Sequence, residues 1–437
     1  MATALGIVPA DVAAPAFRPY GPRDLDAITQ RFGIAPDLAR DMRAVAEVLP
    51  FRTNEYVLQT LVDWSHAPDD PLFRLTFPSP DMLEPADLEA MRDALHRDAP
   101  RTERMAIAGA IRRRLNPHPG GQLELNRPRG ETDSHGIQHK YRDTVLLFPS
   151  PGQTCHAYCS YCFRWAQFVA EPDWRFAEPD PAVPRAYIAA HPEVGDVILT
   201  GGDPLVMSTA QLRRHIVPLL DLASVRTIRI GTKSLAYWPY RFLAEEADEL
   251  LRLFEEVIAR GKRLVVKAHF SHPRELEAPL AQRAVRRVLE TGAGIYCQAP
   301  LVGAINDAPE IWSELWRGEL ALGCVPYYMF VERDTGAVRA FRVPLVRALE
   351  IFTAAYRELP GLARTVRGPV MSATPGKVVV DGIGTLGRQE VFVLRFLRAR
   401  DEALTGRSFF ARLDPEACWL SELEPVPGAE RFPWREA

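Results

Sequence analysis

Beyond about residue 139 the chain repeats one texture six times: a short apolar run, a polar or glycine-rich break, then a stretch with helical apolar spacing. The runs are TVLLF at 144–148, VGDVILT at 194–200, TIRIG at 227–231, RLVVKAHF at 263–270, GIYCQ at 294–298 and VPYYMFV at 325–331. Runs this short, rich in β-branched and aromatic residues, read as strands. The clearest helix between them carries Leu243, Ala247, Leu250, Leu251, Phe254, Val257 and Ile258 on one face, and Gly261 stops it. Strands that alternate with helices lie parallel. The expected fold class is α/β: a parallel sheet curved into a partial (β/α)6, TIM-like barrel, with its chemistry at the carboxyl ends of the strands.

The breaks agree with that rule. Gly201-Gly202-Asp203-Pro204 follows the second run and Thr232-Lys233-Ser234 the third. His269-Phe270-Ser271-His272-Pro273, Gln298-Ala299-Pro300 and Glu332-Arg333-Asp334 close the last three. After the first run comes Cys155-His-Ala-Tyr-Cys159-Ser-Tyr-Cys162, a C-x3-C-x2-C array. Three thiolates can hold three irons of a [4Fe–4S] cube and leave the fourth open, whereas electron-transfer clusters are closed by four. Zinc and inert cysteines are the alternatives. A structural zinc site wants four ligands, and His156, next to Cys155, is poorly placed to share one metal with it.

The remaining features bound the class. In 437 residues, 25% are charged and the net charge is -3, an ordinary soluble surface without the basic excess of a nucleic-acid binder. No apolar stretch of about 18 residues is present, and the first residues lack the basic start of a signal peptide. Six cysteines, three of them clustered, do not make a secreted disulfide framework; a cytoplasmic protein is expected. The 38 prolines sit at segment ends rather than in one tract. Residues 1–135 read as helical, with helices over 23–32, 35–49, 85–96 and 104–115. The last ends in Arg112-Arg113-Arg114, read as a solvated helix end, before an Asn-Pro-His-Pro-Gly-Gly boundary. The expected organisation is a helical region at 1–135, the sheet domain at 136–360, and a C-terminal segment at 361–437 that carries Lys377.

With these features in place the chain resembles the radical S-adenosylmethionine superfamily, and within it the lysine 2,3-aminomutase family. The likeness spans roughly residues 135–385 and rests on HKYRDTVLLF (139–148), CHAYCSYCFR (155–164) and Pro375-Gly376-Lys377. It implies that Cys155, Cys159 and Cys162 hold a [4Fe–4S] cluster whose open iron binds S-adenosylmethionine. Tyr161 would pack near the adenine. Gly201, Gly202 and Asp203 look like the segment that approaches the methionyl amino group, since glycines admit a ligand close to the backbone. Lys377 would carry pyridoxal 5′-phosphate, and Arg164 would grip the substrate carboxylate. The implied reaction is an isomerisation. A 5′-deoxyadenosyl radical removes hydrogen from Cβ, the α-amino group moves to Cβ, and the hydrogen returns. The implied partners are a small amino acid, a reductant such as flavodoxin or ferredoxin, and further copies of the chain in a homo-oligomer.

Three departures matter. Lysine-specific relatives set two aspartates around the distal ammonium; a gapless match puts these at Arg333 and Ala373, with Glu332 and Asp334 one residue away. A substrate other than free lysine follows, with an acidic or neutral side chain, and Arg333 as a substrate residue. The family arginine before the cluster is Thr144 here, so Lys140 or Arg142 would serve the phosphate instead. The cysteines used by some relatives for an intersubunit zinc are missing, so no zinc is expected; Cys297 and Cys324 read as core. Two other activities compete. One is modification of a lysine on elongation factor P, by relatives that are shorter. The other is a radical enzyme that does without pyridoxal phosphate.

Overall fold

A computed structural model describes residues 14–117, 126–128, 130, 134–169, 174–428 and 431–434. The expected boundary at 116–121 falls mostly outside these residues. The amino-terminal part is helical. It contains a two-stranded ribbon, β1 (Pro19–Tyr20) with β2 (Thr53–Asn54), and three main helices: α1 (Pro36–Val48), α2 (Pro85–His96) and α3 (Arg101–Leu115). Both α1 and α2 start with proline at the first helical position, where its fixed φ helps and its missing N–H is not needed.

Helix α3 departs from expectation at Arg112. The side chain is buried, and it donates to Val48 O and Glu47 O, both at 2.8 Å. These are carbonyls of the last turn of α1, which no backbone donor inside a helix can reach. One arginine of the triplet thus caps a neighbouring helix instead of facing water.

The rest of the described chain builds one sheet of eleven strands. They are β3 (Ile137–Tyr141), β4 (Thr144–Leu147), β5 (Asp196–Leu199), β6 (Thr227–Thr232), β7 (Arg263–Ala268), β8 (Gly294–Leu301), β9 (Val325–Val331), β10 (Arg367–Ser372), β11 (Gly376–Leu386), β12 (Gln389–Ala399) and β13 (Ser408–Arg412). Neighbours in the sheet follow chain order throughout. Strands β4 to β10 run parallel, while β3 and β11–β13 pair antiparallel at the two flanks. The six expected strands are all present. The seventh parallel strand and the flanking ones were not anticipated. The C-terminal segment is therefore a continuation of the sheet, not an appendage to it.

Helices α4 (Ala182–Ala190), α5 (Thr209–Leu220), α6 (Ala247–Ala259), α7 (Pro279–Glu290), α8 (Pro309–Ala321) and α9 (Leu345–Arg357) form the crossovers. Their apolar faces, including Leu212, Ile216, Leu250, Phe254, Val285 and Trp312, pack on Val197, Ile228, Ile230, Ile295 and Cys297 of the strands. Cys297 and Cys324 belong to this core.

The other face of the sheet is different. Parallel strands covered on both sides are normally buried along their whole length. Here β5, β6 and β8 alternate strictly between half-buried and buried positions. The half-buried set includes Ile198, Arg229, Gly231, Tyr296 and Gln298, so this face borders an internal space. The sheet curls around that space until its flanks meet. Arg398 on β12 donates to Thr144 Oγ1 on β4 at 3.1 Å and pairs with Asp143, and Lys140 on β3 donates to Ala373 O beyond β10.

Removing the α1 cap has a defined expectation. Arg112→Ala leaves two buried carbonyls without their charged donor and is expected to cost about 2 kcal/mol. Denaturant unfolding followed by circular dichroism would measure it.

Candidate active site

The cysteine loop follows β4 and is gripped from two sides. On one side the amino-terminal region holds it: Arg52 Nη1 donates to Thr154 Oγ1 at 2.7 Å, and Asn54 Nδ2 to His156 O at 3.1 Å. The Tyr158 N–H donates to Arg52 O and the Ser160 N–H to Leu75 O, both at 2.9 Å. On the other side lies the turn after β5. A Cβ on Gly202 would fall 2.3 Å from Thr154 O, and one on Gly201, whose φ is +139°, would fall 2.1 Å from the Gln153 amide. These glycines are thus required by the chain's own packing: they let the cysteine loop lie directly on the post-β5 turn.

Asp203 completes the turn, and its carboxylate is fully engaged. It accepts from the Leu205 and Lys233 N–H groups (both 2.9 Å), from Thr232 Oγ1 (2.8 Å) and from Ser234 Oγ (3.0 Å). Its side chain ties the loops after β5 and β6 together. Burial still raises its pKa above the ordinary aspartate value.

The three thiols share a poor environment for charge. Burial pushes Cys155 and Cys159 up and takes Cys162 to about 12, and the neighbouring sulfurs push Cys155 and Cys162 further. Thiolates so placed need metal charge between them. Among the described residues no three His, Cys, Asp or Glu side chains gather tightly enough for a single ion. A cube instead takes one thiolate at each of its separate irons, so this donor set fits a cluster. His156 turns away to Ser234 Oγ at 3.0 Å, and burial takes its pKa to about 3.

Beside the thiols is a polar network drawn from three strand ends. Tyr161 Oη lies 2.8 Å from both His269 Nε2 and Ser271 Oγ. Lys233 pairs with Glu275 at 2.7 Å and sits 4.7 Å from the Tyr237 ring centre, and Tyr237 Oη lies 3.3 Å from Cys159 Sγ. Tyr161 was expected from the sequence. Lys233, Tyr237 and Glu275 were not assigned roles, although Lys233 and His269 stood in the polar breaks after strands.

The inner face of the sheet carries Lys377. It is the second residue of β11, opposite Ser372 on β10 and Arg398 on β12. Gly376 explains the motif, because its Cβ would fall 2.2 Å from Arg398 O. The Lys377 amine lies 4.4 Å from the Tyr328 ring centre and 5.4 Å from that of Phe330. Burial, then the charges of Arg229, Arg398 and Arg367, lower its pKa to about 7. Lys267 is close by, 3.5 Å from the Tyr327 ring centre, and burial holds it well below the ordinary lysine value. Aromatic rings among several cations suit a flat, anionic, phosphorylated ring, so pyridoxal phosphate fits here.

Arg142 does not serve this space. It pairs with Glu402 at 3.4 Å, with both side chains largely exposed. Where relatives carry arginine, Thr144 receives a guanidinium from another strand, that of Arg398, which also lies 4.4 Å from the Tyr141 ring centre. Arg164 and Arg333 converge on one ring: their guanidinium carbons lie 5.0 and 5.4 Å from the centre of Phe163. Burial, foremost, brings the pKa of Arg164 down to about 10.

No family model matches the chain. An Aquifex aeolicus (strain VF5) protein described as "Putative L-lysine 2,3-aminomutase" is 32% identical over 385 residues, or 88% of this chain and 90% of that protein. The L-lysine 2,3-aminomutase of Clostridium subterminale is 29% identical over 241 residues, 52% of this chain and 55% of that one. That of Acetoanaerobium sticklandii is 28% identical over 222 residues, 51% of each. The matched region thus spans about half the length of these last two relatives. A solved structure, Streptococcus suis SuiB bound to precursor peptide SuiA, aligns with a TM-score of 0.35 at 13% identity, over 58% of this chain and 51% of that one. A likeness that loose carries no argument.

Two outcomes follow from the geometry. Gly202→Ala forces the backbone beside Cys155 to move, so iron and sulfide bound per chain after reconstitution should fall sharply while far-ultraviolet circular dichroism is retained. Pyridoxal phosphate attachment to the cofactor-free protein should rise with pH through a midpoint near 7, because Lys377 loses its proton there rather than near 10.5. Visible absorbance after mixing at a series of pH values would show it.

Proposed function

Because this chain belongs to the lysine 2,3-aminomutase family, we propose that it moves the α-amino group of a free amino acid other than lysine to Cβ. Members of the family are isomerases that use a [4Fe–4S] cluster, S-adenosylmethionine and pyridoxal phosphate. When bound, the first two would supply a hydrogen-abstracting 5′-deoxyadenosyl radical, and pyridoxal phosphate would hold the migrating nitrogen. The observation that carries this reading is the pairing, in one curled sheet, of an unclosed set of three thiols with a lysine amine whose pKa is near 7.

On this reading the sheet is a partial (β/α)6 barrel extended at both flanks, and each residue has a task. Cys155, Cys159 and Cys162 ligate the cluster. Tyr161 closes one side of the nucleotide pocket, and Gly201, Gly202 and Asp203 shape the other by fixing the loop on which the thiols ride. Lys377 offers a neutral amine to the coenzyme. Lys267, Arg367 and Arg398 neutralise the phosphate, with Arg398 supplying from β12 the charge that Thr144 lacks. Arg164 receives the substrate carboxylate with its planar fork. The meeting of the sheet's flanks keeps water from a radical that would attack almost any C–H bond. The electron comes from a small reductant protein of the flavodoxin or ferredoxin kind.

The test is a screen of the twenty common amino acids with reconstituted, reduced enzyme, with β-isomers read by chromatography and mass. One amino acid other than lysine should be converted. Rapid formation of β-lysine, or no cleavage of S-adenosylmethionine under any condition, would sink the reading. Lys377→Ala should abolish the visible band of the bound coenzyme and leave the cluster content unchanged.

A further inference from the structure

Three basic side chains, Arg164, Arg333 and Lys140, lie near enough to act on one another's charge. Arg164 and Arg333 share the Phe163 ring. Lys140 reaches across from β3 and donates to the backbone carbonyl of Ala373. None of the three forms an ion pair among the described residues, in contrast to arginines such as Arg31, Arg74, Arg229 and Arg395. Buried Nε of Arg333 has no hydrogen-bond partner.

The carboxylates nearby do not resolve this. Glu332 precedes Arg333 in the chain but forms no ion pair with it among the described residues. It is buried with both oxygens unpartnered, and burial alone pushes its pKa well above the ordinary value, the mark of a carboxyl that no cation approaches. Asp334 is the one carboxylate whose charge reaches Arg333. Lys140 has only further basic groups around it: Arg333, Arg400 and Lys377. Basic groups held this close, with Asp334 near Arg333 as the one carboxylate among them, are a standing cost that an anionic ligand removes.

Resting on the proposed aminomutase activity, we infer that the substrate is a dicarboxylic α-amino acid whose side-chain carboxylate is received by Arg333 and Lys140. Arg164 takes the α-carboxylate, and the two carboxylates occupy separate cationic positions. Phosphate of the coenzyme is assigned elsewhere, to Lys267, Arg367 and Arg398 around Lys377, so Lys140 and Arg333 are left for the substrate. The reaction itself is unchanged: an isomerisation that consumes no oxidant and leaves both carboxylates intact. Arg333 and Lys140 are then the residues that set specificity. Substituting them should alter selectivity among amino acids more than it alters coenzyme retention.

The experiment titrates enzyme loaded with pyridoxal phosphate, without reductant, with aspartate, glutamate, 2-aminoadipate, alanine, leucine and lysine, and follows the absorbance of the bound coenzyme. At least one dicarboxylic acid should bind more tightly than all three others. Arg333→Met and Lys140→Met should each reduce that preference about tenfold or more, as expected for loss of a charge-assisted contact. Arg333→Asp should shift the preference toward lysine. Tighter binding of alanine, leucine or lysine than of every dicarboxylic acid would overturn the inference and leave the aminomutase reading standing. Response to none of the six would count against both, and S-adenosylmethionine cleavage by the reduced enzyme would then separate the two failures. Loss of coenzyme from Lys140→Met, with selectivity unchanged, would move Lys140 to the phosphate and remove it from the proposal.

Discussion

Closure of the sheet on itself is the constraint on which the rest of the molecule depends. Eleven strands in chain order would make a twisted open surface with two edges. Here the Arg398 side chain bridges β12 to Thr144 and Asp143, and Lys140 bridges β3 to Ala373 O. Those contacts convert one face of the sheet into the wall of an enclosed space. They also bring residues more than 230 positions apart in sequence into one site. Without that curl, Lys377 and the cysteine loop would lie on a surface open to water.

Enclosure changes the chemistry of the groups inside. An amine in water holds its proton to about pH 10.4. Lys377, walled in beside other cations, gives it up near pH 7, and Lys140 does the same while no anion lies beside it. The same burial keeps the thiols of the cysteine loop protonated in the absence of metal charge. Both halves of the site are therefore poised by one cause, desolvation, which favours neutral amines at one place and metal-bound thiolates at the other.

Much of this was legible in the residues. The six apolar runs appear as strands because short β-branched runs between helical stretches have few other stable arrangements, and the polar breaks gather at one end for the same reason. The glycines, Asp203, Tyr161 and Lys377 could be picked out by spacing and resemblance. Their physical duties could not, because these depend on what lies across the fold: Gly202 against Thr154, Gly376 against Arg398, Asp203 against the loop after β6. Arg398 was hidden for a related reason. Nothing local marks an arginine on a C-terminal hairpin as the partner of a threonine 254 positions earlier. Arg112 misled in the other direction, since a basic helix end looks solvated until the neighbouring helix is seen to need a cap.

The grip of the amino-terminal region on the cysteine loop has a consequence of its own. Arg52, Asn54 and Leu75 hold Thr154, His156 and Ser160 across about one hundred intervening residues. By thermodynamic linkage, whatever occupies the loop also tightens the docking of the helices that brace it. On the proposed reading, filling the loop and docking the amino-terminal helices stabilise each other.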